Sequence, residues 1–179
     1  LDDGRFLAAI GNALYLILFY SILPLVVGLV LAAILRRGQV RGMGVYRVLI
    51  FLPQVIALVV VAVAWRQIYT PRGTLNQMLG LIGVESDIGW LGEPNLALTA
   101  VGIIGFWLET GLVMLLLLAG MNRIPNDLYE ASRLDGAGPI REFFAITLPA
   151  VKGEISTALV LTIIAALKTF DLIYMTTSG

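Results

Sequence analysis

An uncharged stretch of 30 residues, from Phe6 to Leu35, constrains this chain more than any other feature. Its core, Ala13 to Leu35, would form a helix about 35 Å long, enough to cross a hydrocarbon layer about 30 Å thick. The whole chain is 59% hydrophobic and 13% charged, whereas soluble domains are roughly 45–50% apolar and about 25% charged. The composition therefore favours a membrane protein.

The residue types that are missing exclude several kinds of chemistry. The chain has no Cys and no His, and its formal net charge is zero. Disulfides, thiolate or imidazole metal sites and Cys or His catalysis are thereby excluded, and the charge balance does not indicate nucleic-acid binding. No Gly-x-x-x-x-Gly-Lys-Ser/Thr sequence is present, so the chain lacks the phosphate-binding loop for ATP. We therefore expect no enzyme activity, no metal and no cofactor.

Four apolar stretches predict an all-α bundle of transmembrane helices that forms one domain, residues 1–179. The predicted spans are about 13–35, 48–65, 95–120 and 155–176, with a polar loop at 121–154. Pro24 is expected to kink the first span, and Pro53 lies near the start of the second. Lys168 and Asp171 interrupt the fourth span, for which a buried helix is the alternative.

The charged residues of the loops predict the orientation of the spans. Because cytoplasmic loops are enriched in Lys and Arg, the first and third loops are placed in the cytoplasm and the second outside. The first loop contains Arg36, Arg37, Arg41 and Arg47; the second contains Arg66, Arg72, Glu85, Asp87 and Glu93; the third contains Arg123, Arg133, Arg141 and Lys152.

Three aromatic residues lie near the predicted outer ends of the spans: Trp65, Tyr69 and Trp90. This position fits an interfacial aromatic belt. Ordinary packing of the rings inside the protein explains them equally well.

The third loop contains a charged segment with breakers at both ends. Residues 127–134 predict a short helix, because an acid stands in its first turn and Gly136 follows its end. Pro139 is expected to open a second short helix whose apolar side lies along the membrane surface, and Pro149 marks the bend into the fourth span. The charged groups could bond to a partner. A solvated loop with a Glu130–Arg133 pair is the alternative.

The spacing of this loop resembles that of a known family. Glu130-Ala131-Ser132 is followed after three residues by Gly136, and then by Ile146-x-Leu148-Pro149. This resembles the cytoplasmic "EAA" loop in permease subunits of binding-protein-dependent ABC importers, which normally has Ala where Ser132 stands. Further similarity to the sugar-permease branch lies in Phe51-Leu52-Pro53, Gly73-x-Leu75-Asn76, Trp107, Leu118-Ala119-Gly120-Met121, Ile124-Pro125 and residues 170–176.

The resemblance implies a fold, a location and a set of partners. The fold would be the MetI-like core of a type I ABC importer, in the cytoplasmic (inner) membrane of a bacterium or archaeon, and the chain would be part of a longer subunit. The partners would be separate ABC ATPase subunits, a second and different permease subunit, a periplasmic or lipid-anchored solute-binding protein and membrane lipid. The ATPase would dock on the loop residues, which are Leu128, Tyr129, Glu130, Ala131, Ser132, Asp135, Gly136, Ala137 and Pro149.

Charged residues inside apolar stretches predict a polar path through the membrane. Glu109, Lys168 and Asp171 lie in or near predicted spans, where a charge is costly unless it faces a cavity or a partner. Together with Trp107 they could bind a sugar through hydrogen bonds and an aromatic face. A structural Glu109–Lys168 pair, or a Lys168 side chain that reaches the interface, remains the alternative.

Two other functions compete with an importer permease. An ion-coupled secondary carrier would place coupling carboxylates on broken helices near the membrane centre, and Glu109 and Asp171 could serve there. A structural scaffold would need neither of these carboxylates. Both leave the charged loop around Glu130 without a role, so the sequence favours the permease.

Overall fold

The computed structural model describes residues 3–37, 42–84 and 87–177, and the elements of these ranges are helices. Arg41 and Glu85, which contributed to the predicted orientation, lie outside the described residues. In chain order, the first helices are α1 (Asp3–Ile17), α2 (Leu23–Arg37), α3 (Met43–Val55), α4 (Leu58–Ile68), α5 (Thr74–Leu81) and α6 (Pro94–Met121). The remaining helices are α7 (Asn126–Leu134), α8 (Pro139–Glu142), α9 (Leu148–Ala150), α10 (Lys152–Leu167) and α11 (Phe170–Thr177).

Two of the described helices are long and apolar enough to cross a membrane as single elements. They are Phe6–Arg36 and Leu96–Met121. The first contains the predicted span 13–35, and the second covers all but the first residue of the predicted span 95–120. Two bent helix pairs raise the number to four if each pair is one span. The helical fold expected from the sequence is confirmed, whereas the path of each bent pair through the membrane stays a prediction.

The predicted second span, 48–65, is divided in the structure. Gly44–Val55 and Leu58–Ile68 meet at an angle of 95°, because Ile56 and Ala57 have extended backbone conformations. Pro53 stands within the last turn of α3, and its missing N–H weakens this turn by removing one hydrogen bond to the preceding turn. The predicted fourth span, 155–176, is also interrupted, since α10 ends at Leu167 and α11 begins at Phe170.

Two prolines are preceded by π-helical turns with the same spacing. The turn Leu18–Ile22 is closed by the Leu23 N–H, which donates to the Leu18 carbonyl, and Pro24 follows. The turn Phe143–Thr147 is closed in the same way by the Leu148 N–H, and Pro149 follows. A π turn adds one residue to the helix and accommodates the proline, so the helix around Pro24 continues. The bend expected near Pro149 is confirmed, because Pro139–Ala150 meets Lys152–Leu167 at 68°.

Helix α6 lies at the centre of the fold. Ile104, Val113, Met114 and Leu117 on it are fully buried, and it contacts α1, α2, α3, α10 and α11. One cluster of buried side chains surrounds its first half and a second cluster surrounds its last half. Large apolar side chains on α1 to α4 remain exposed, as expected for surfaces that face lipid or further membrane helices.

Three glycines let other helices approach α6 closely. A Cβ atom on Gly102 would meet the Phe19 ring, and one on Gly105 would overlap the Tyr20 ring. A Cβ on Gly111 would overlap the backbone of Ile50 and Phe51 on α3. These glycines therefore serve helix packing, as small residues commonly do in membranes.

A candidate partner-docking loop and a polar membrane site

The loop after α6 folds into a short helix, α7, that is closed at its end by glycine. Gly136 has a φ of 75°. This left-handed conformation favours glycine, because it is energetically costly for a residue with a Cβ atom. Its N–H donates to the Arg133 carbonyl at 3.0 Å, and the Ala137 N–H donates to the Ser132 carbonyl at 2.9 Å. This pair of bonds is the Schellman motif. The stop predicted at Gly136 is confirmed, and it directs the chain towards α8.

One side of α7 is fixed to the rest of the protein. Tyr129 is buried, with 6% of its surface exposed, and its hydroxyl shares a 2.8 Å hydrogen bond with the Thr147 hydroxyl. The Ser132 hydroxyl donates to the Tyr129 carbonyl at 2.9 Å. The half-buried Arg36, near the end of α2, lies over the Tyr129 ring at 4.2 Å. Tyr129 is therefore an anchor that fixes α7 to the rest of the protein.

A second contact joins α7 to α8. Arg133 Nε donates to a carboxylate oxygen of Glu142 at 2.8 Å, and the Glu142 side chain is buried. This hydrogen bond, together with the negative charge of Glu142, raises the pKa of the Arg133 guanidinium above its ordinary value. Arg133 thus forms a longer-range pair that bridges the turn at Gly136, and the charge of Glu130 adds a smaller favourable interaction.

The opposite side of α7 is open to solvent. Leu134 is 90% exposed, and Leu128, Glu130, Ala131 and Asp135 are exposed as well. Ser132 and Ala137 are half-buried, and Pro149 is exposed near the far end of the loop. A fixed helix that exposes both Leu128 and Leu134 among polar side chains is suited to contact with another protein.

The predicted membrane residues do not form one cluster. Glu109 is buried, with 7% of its surface exposed, whereas Lys168 and Asp171 are exposed at the break between α10 and α11. Within the described ranges no ion pair joins Glu109 to Lys168, so the alternative structural pair is not formed. Trp107 is partly exposed and packs its ring edge-on against Trp65, with centroids 5.6 Å apart.

Buried hydroxyl groups near the first π turn were not identified from the sequence. The Ser21 hydroxyl shares a 2.7 Å hydrogen bond with that of Thr162 on α10. Single Ser and Thr residues in apolar helices follow no distinctive spacing. Their hydroxyls can also be satisfied within their own helix, as the Thr162 hydroxyl donates to the Ala158 carbonyl, so their presence in the sequence does not indicate a contact with another helix. Ser21 lies within the π turn Leu18–Ile22, which packs against α10.

The loop at the other end of α6 is organised by one amide side chain. Asn76 is 5% exposed and donates to the carbonyls of Pro71 at 2.9 Å and Ile88 at 2.8 Å. Its oxygen accepts a 3.0 Å hydrogen bond from Trp90 Nε1. Gly73 precedes it where a Cβ would overlap the Ile68 carbonyl. The Gly73-x-Leu75-Asn76 sequence therefore has a structural role.

The aromatic residues of this loop pack against one another. Tyr69 is buried, its hydroxyl donates to the Ala100 carbonyl at 3.1 Å, and its ring lies 5.2 Å from Trp65 and 6.5 Å from Trp90. Packing therefore explains Tyr69 better than an interfacial belt. Beside it is a cleft of about 340 Å³, lined by Arg66, Tyr69, Thr70, Pro71, Gly89, Leu91, Gly92, Thr176 and Thr177.

Comparison with known proteins identifies the class of this chain. Residues 24–179 match the family described as "Binding-protein-dependent transport system inner membrane component". The chain belongs to this family. The resemblance seen in the loop around Glu130 is thereby confirmed.

Relatives of the chain include permease proteins of sugar transport systems. The chain is 40% identical over 158 residues to the trehalose/maltose transport system permease protein MalF of Thermococcus litoralis, covering 88% of this chain and 53% of that protein. It is 34% identical over 183 residues to the maltose/maltodextrin permease MalF of Escherichia coli, covering 99% of this chain and 35% of that protein. The chain thus spans about half, or less, of these relatives.

Solved structures of ABC transporters share the fold. A bacterial ABC transporter that imports the acidic polysaccharide alginate superimposes with a TM-score of 0.83 at 26% identity, covering 97% of this chain and 64% of the other. A second structure, the alginate transporter in complex with an alginate pentasaccharide-bound periplasmic protein, gives 0.79 at 25% identity, covering 93% and 62%. The all-α fold predicted for an importer permease is confirmed.

Proposed function

We propose that this chain is the core of a permease subunit in an ATP-driven importer for a sugar or a related small solute. In this proposal, residues 1–179 form one transmembrane domain with the 121–154 loop in the cytoplasm. A separate ATPase hydrolyses ATP, a second and different permease subunit completes the pore, and a periplasmic or lipid-anchored binding protein delivers the solute. Surrounding lipid covers the remaining apolar surface in the cytoplasmic membrane.

The observation that carries this proposal is the two-sided construction of α7. Its inner side is fixed through Tyr129 and Arg133, while its outer side presents Leu134 and Glu130 to solvent. A helix held at several points transmits force from a docked protein, whereas a freely moving loop would absorb it. We assign ATPase contact to the exposed Leu128, Glu130, Ala131, Leu134 and Asp135. Tyr129, Ser132, Gly136, Ala137 and Pro149 shape the loop.

A charge placed in the centre of this surface tests the docking role. Leu134→Asp replaces a highly exposed apolar side chain, so it should leave the fold intact and weaken ATPase retention about 10-fold, the effect of losing one apolar contact of roughly 1.4 kcal/mol. The measurement is ATPase subunit recovered with the purified full-length permease, together with ATP-dependent uptake of a sugar in vesicles. Both should fall in parallel.

Leu81→Asp is the matched control, because Leu81 is 87% exposed at the end of α5, in the loop at the other end of α6. It should leave ATPase retention unchanged. Equal retention by the Leu134→Asp variant and the original protein would refute docking at α7. Uptake that an uncoupler abolishes while ATP is held constant would instead indicate an ion-coupled carrier.

The solute path is proposed to run past Glu109, with Trp107, Lys168 and Asp171 at more exposed positions along it. Glu109→Gln keeps the shape of the side chain but removes its charge. We expect about 10-fold lower uptake at limiting solute, because a hydrogen bond to a charged group contributes about 1.5–3 kcal/mol. Glu93→Gln, an exposed change just before α6, is the control. Unchanged uptake kinetics in the Glu109→Gln variant would exclude Glu109 from the path.

A further inference from the structure

Arg36 joins two parts of the chain that are far apart in sequence. It lies at the end of α2, next to the last residue of the helix. One guanidinium nitrogen, Nη2, donates to the Ile124 carbonyl at 3.0 Å, and the guanidinium lies 4.2 Å from the centroid of the Tyr129 ring. Ile124 precedes α7 and Tyr129 is in its first half. Arg36 therefore contacts α7 on both sides of its start.

These contacts use the shape of the guanidinium as well as its charge. A planar guanidinium can stack on an aromatic ring while its edge donates a hydrogen bond, whereas an ammonium is a compact point charge that cannot do both in this geometry. An arginine that only sets membrane orientation, or that only complements the end of the α2 dipole, needs neither contact. The position of Arg36 thus indicates a role beyond its charge.

Tyr129 is held from two directions. Arg36 covers its ring, and the Thr147 hydroxyl bonds its hydroxyl at 2.8 Å. Because Ile124 is also buried, the start of α7 cannot shift against α2 without breaking these contacts. The helix continues from Arg36 back to the π turn, where Ser21 bonds Thr162 on α10. A displacement at α7 thus has a continuous packed route into the membrane.

We propose that Arg36 is a positioning residue that couples α7 to the first long helix, so that movement of α7 by a docked ATPase is passed into the membrane. This inference rests on the proposed function. Without Arg36, the ATPase would still dock on the outer side of α7 and hydrolyse ATP, since that surface is built from other residues. The movement would then be absorbed between α7 and α2.

The test compares two substitutions of Arg36 in the full-length permease, assembled with its partner permease, ATPase and binding protein in proteoliposomes. Arg36→Lys keeps the positive charge and so preserves orientation, whereas Arg36→Met removes it. Arg141→Met is the control for loss of a positive charge, because Arg141 is exposed in the loop that contains α7. The readout is the number of ATP molecules hydrolysed per solute molecule transported.

Both Arg36 variants should hydrolyse ATP at close to the original rate while uptake falls roughly 3- to 30-fold, the range expected for a residue that transmits coupling. The ATP cost per solute should rise by the same factor, and it should stay constant in the Arg141→Met variant. In a Tyr129→Leu background, which removes the ring, Arg36→Lys should cause no further change.

Three results would overturn the inference. Hydrolysis and uptake that fall together would show that Arg36 only supports assembly. If both variants keep the original rates of hydrolysis and uptake, and so the original ATP cost per solute, the contact transmits nothing. An Arg36→Lys variant equal to the original protein would show that charge alone suffices. Failure of the proposed function gives a different result, because uptake by the original protein would then not depend on ATP.

Discussion

Gly111→Ala should strongly destabilise the protein, although the same change in an unconstrained helix is favourable. The added methyl group would overlap the Ile50 carbonyl and crowd the Phe51 Cα at 2.9 Å. Backbone atoms cannot rotate away as a side chain can, so α3 must move off α6. Alanine is favoured over glycine by about 1 kcal/mol in helices, but overpacking of this kind costs about 1–3 kcal/mol or more. We expect the thermal midpoint in detergent to fall by about 4–8 °C.

Substitutions of two other glycines serve as comparisons for this prediction. Gly153→Ala adds the same methyl group to α10, where no atom lies within 4 Å, and should leave the midpoint unchanged or slightly higher. The methyl group added by Gly102→Ala meets the Phe19 side chain, whose Cγ would lie 2.7 Å away. The thermal midpoint of this variant should lie between those of the other two, because the Phe19 ring can rotate. An unchanged midpoint for the Gly111→Ala variant would mean that α3 and α6 are not in close contact in the membrane.

Asn76→Leu should unfold the loop between α4 and α6. The change removes two donors to the Pro71 and Ile88 carbonyls and the acceptor for Trp90, while the similar size of leucine avoids a cavity. Each buried polar group left without a partner costs about 1–3 kcal/mol, so the loop should lose about 3 kcal/mol. This loss corresponds to a roughly 100-fold larger open population. Protease cleavage within residues 69–92 measures that population directly.

Gln77→Leu is the natural control because it alters the next residue. Gln77 is exposed and makes one 3.0 Å hydrogen bond to the Arg72 carbonyl, so its loss should change the cleavage rate less than 3-fold, in line with surface substitutions. Cleavage that is equally slow in both variants would show that Asn76 does not hold the loop. A global fall in thermal midpoint without local cleavage would place its role in the helix bundle instead.

The helical class, the long helices and the polar loop were predictable from the sequence because each has a one-dimensional signal. The uncharged run from Phe6 to Leu35 predicts a helix long enough to cross a membrane, and Gly136 marks the end of α7 through its backbone freedom. The motif around Glu130 located the loop and the family. These signals depend on residue type and spacing alone, and no knowledge of the neighbouring helices is needed to see them.

The features that the sequence did not disclose depend on direction and distance. The 95° bend after Val55 has no hydropathy signal, because both helices of the pair are apolar. Tyr129 was grouped with the docking residues, yet it faces inward, since its contacts with Arg36 and Thr147 come from parts of the chain 93 and 18 residues away. Arg36 itself was visible only as one of several positive charges, and Glu142 had no role until its distance from Arg133 was known.

Helix α6 has a mechanical consequence through its length. Its 28 residues extend about 42 Å, roughly 12 Å more than the hydrocarbon layer is thick. The loop that Asn76 organises, residues 69–92, precedes the start of α6, and α7 follows its end. A rod of this length that pivots by about 10° at its midpoint moves its two tips by roughly 4 Å in opposite directions. Small rotations in the membrane centre would thus be magnified into side-chain-sized displacements on both surfaces at once.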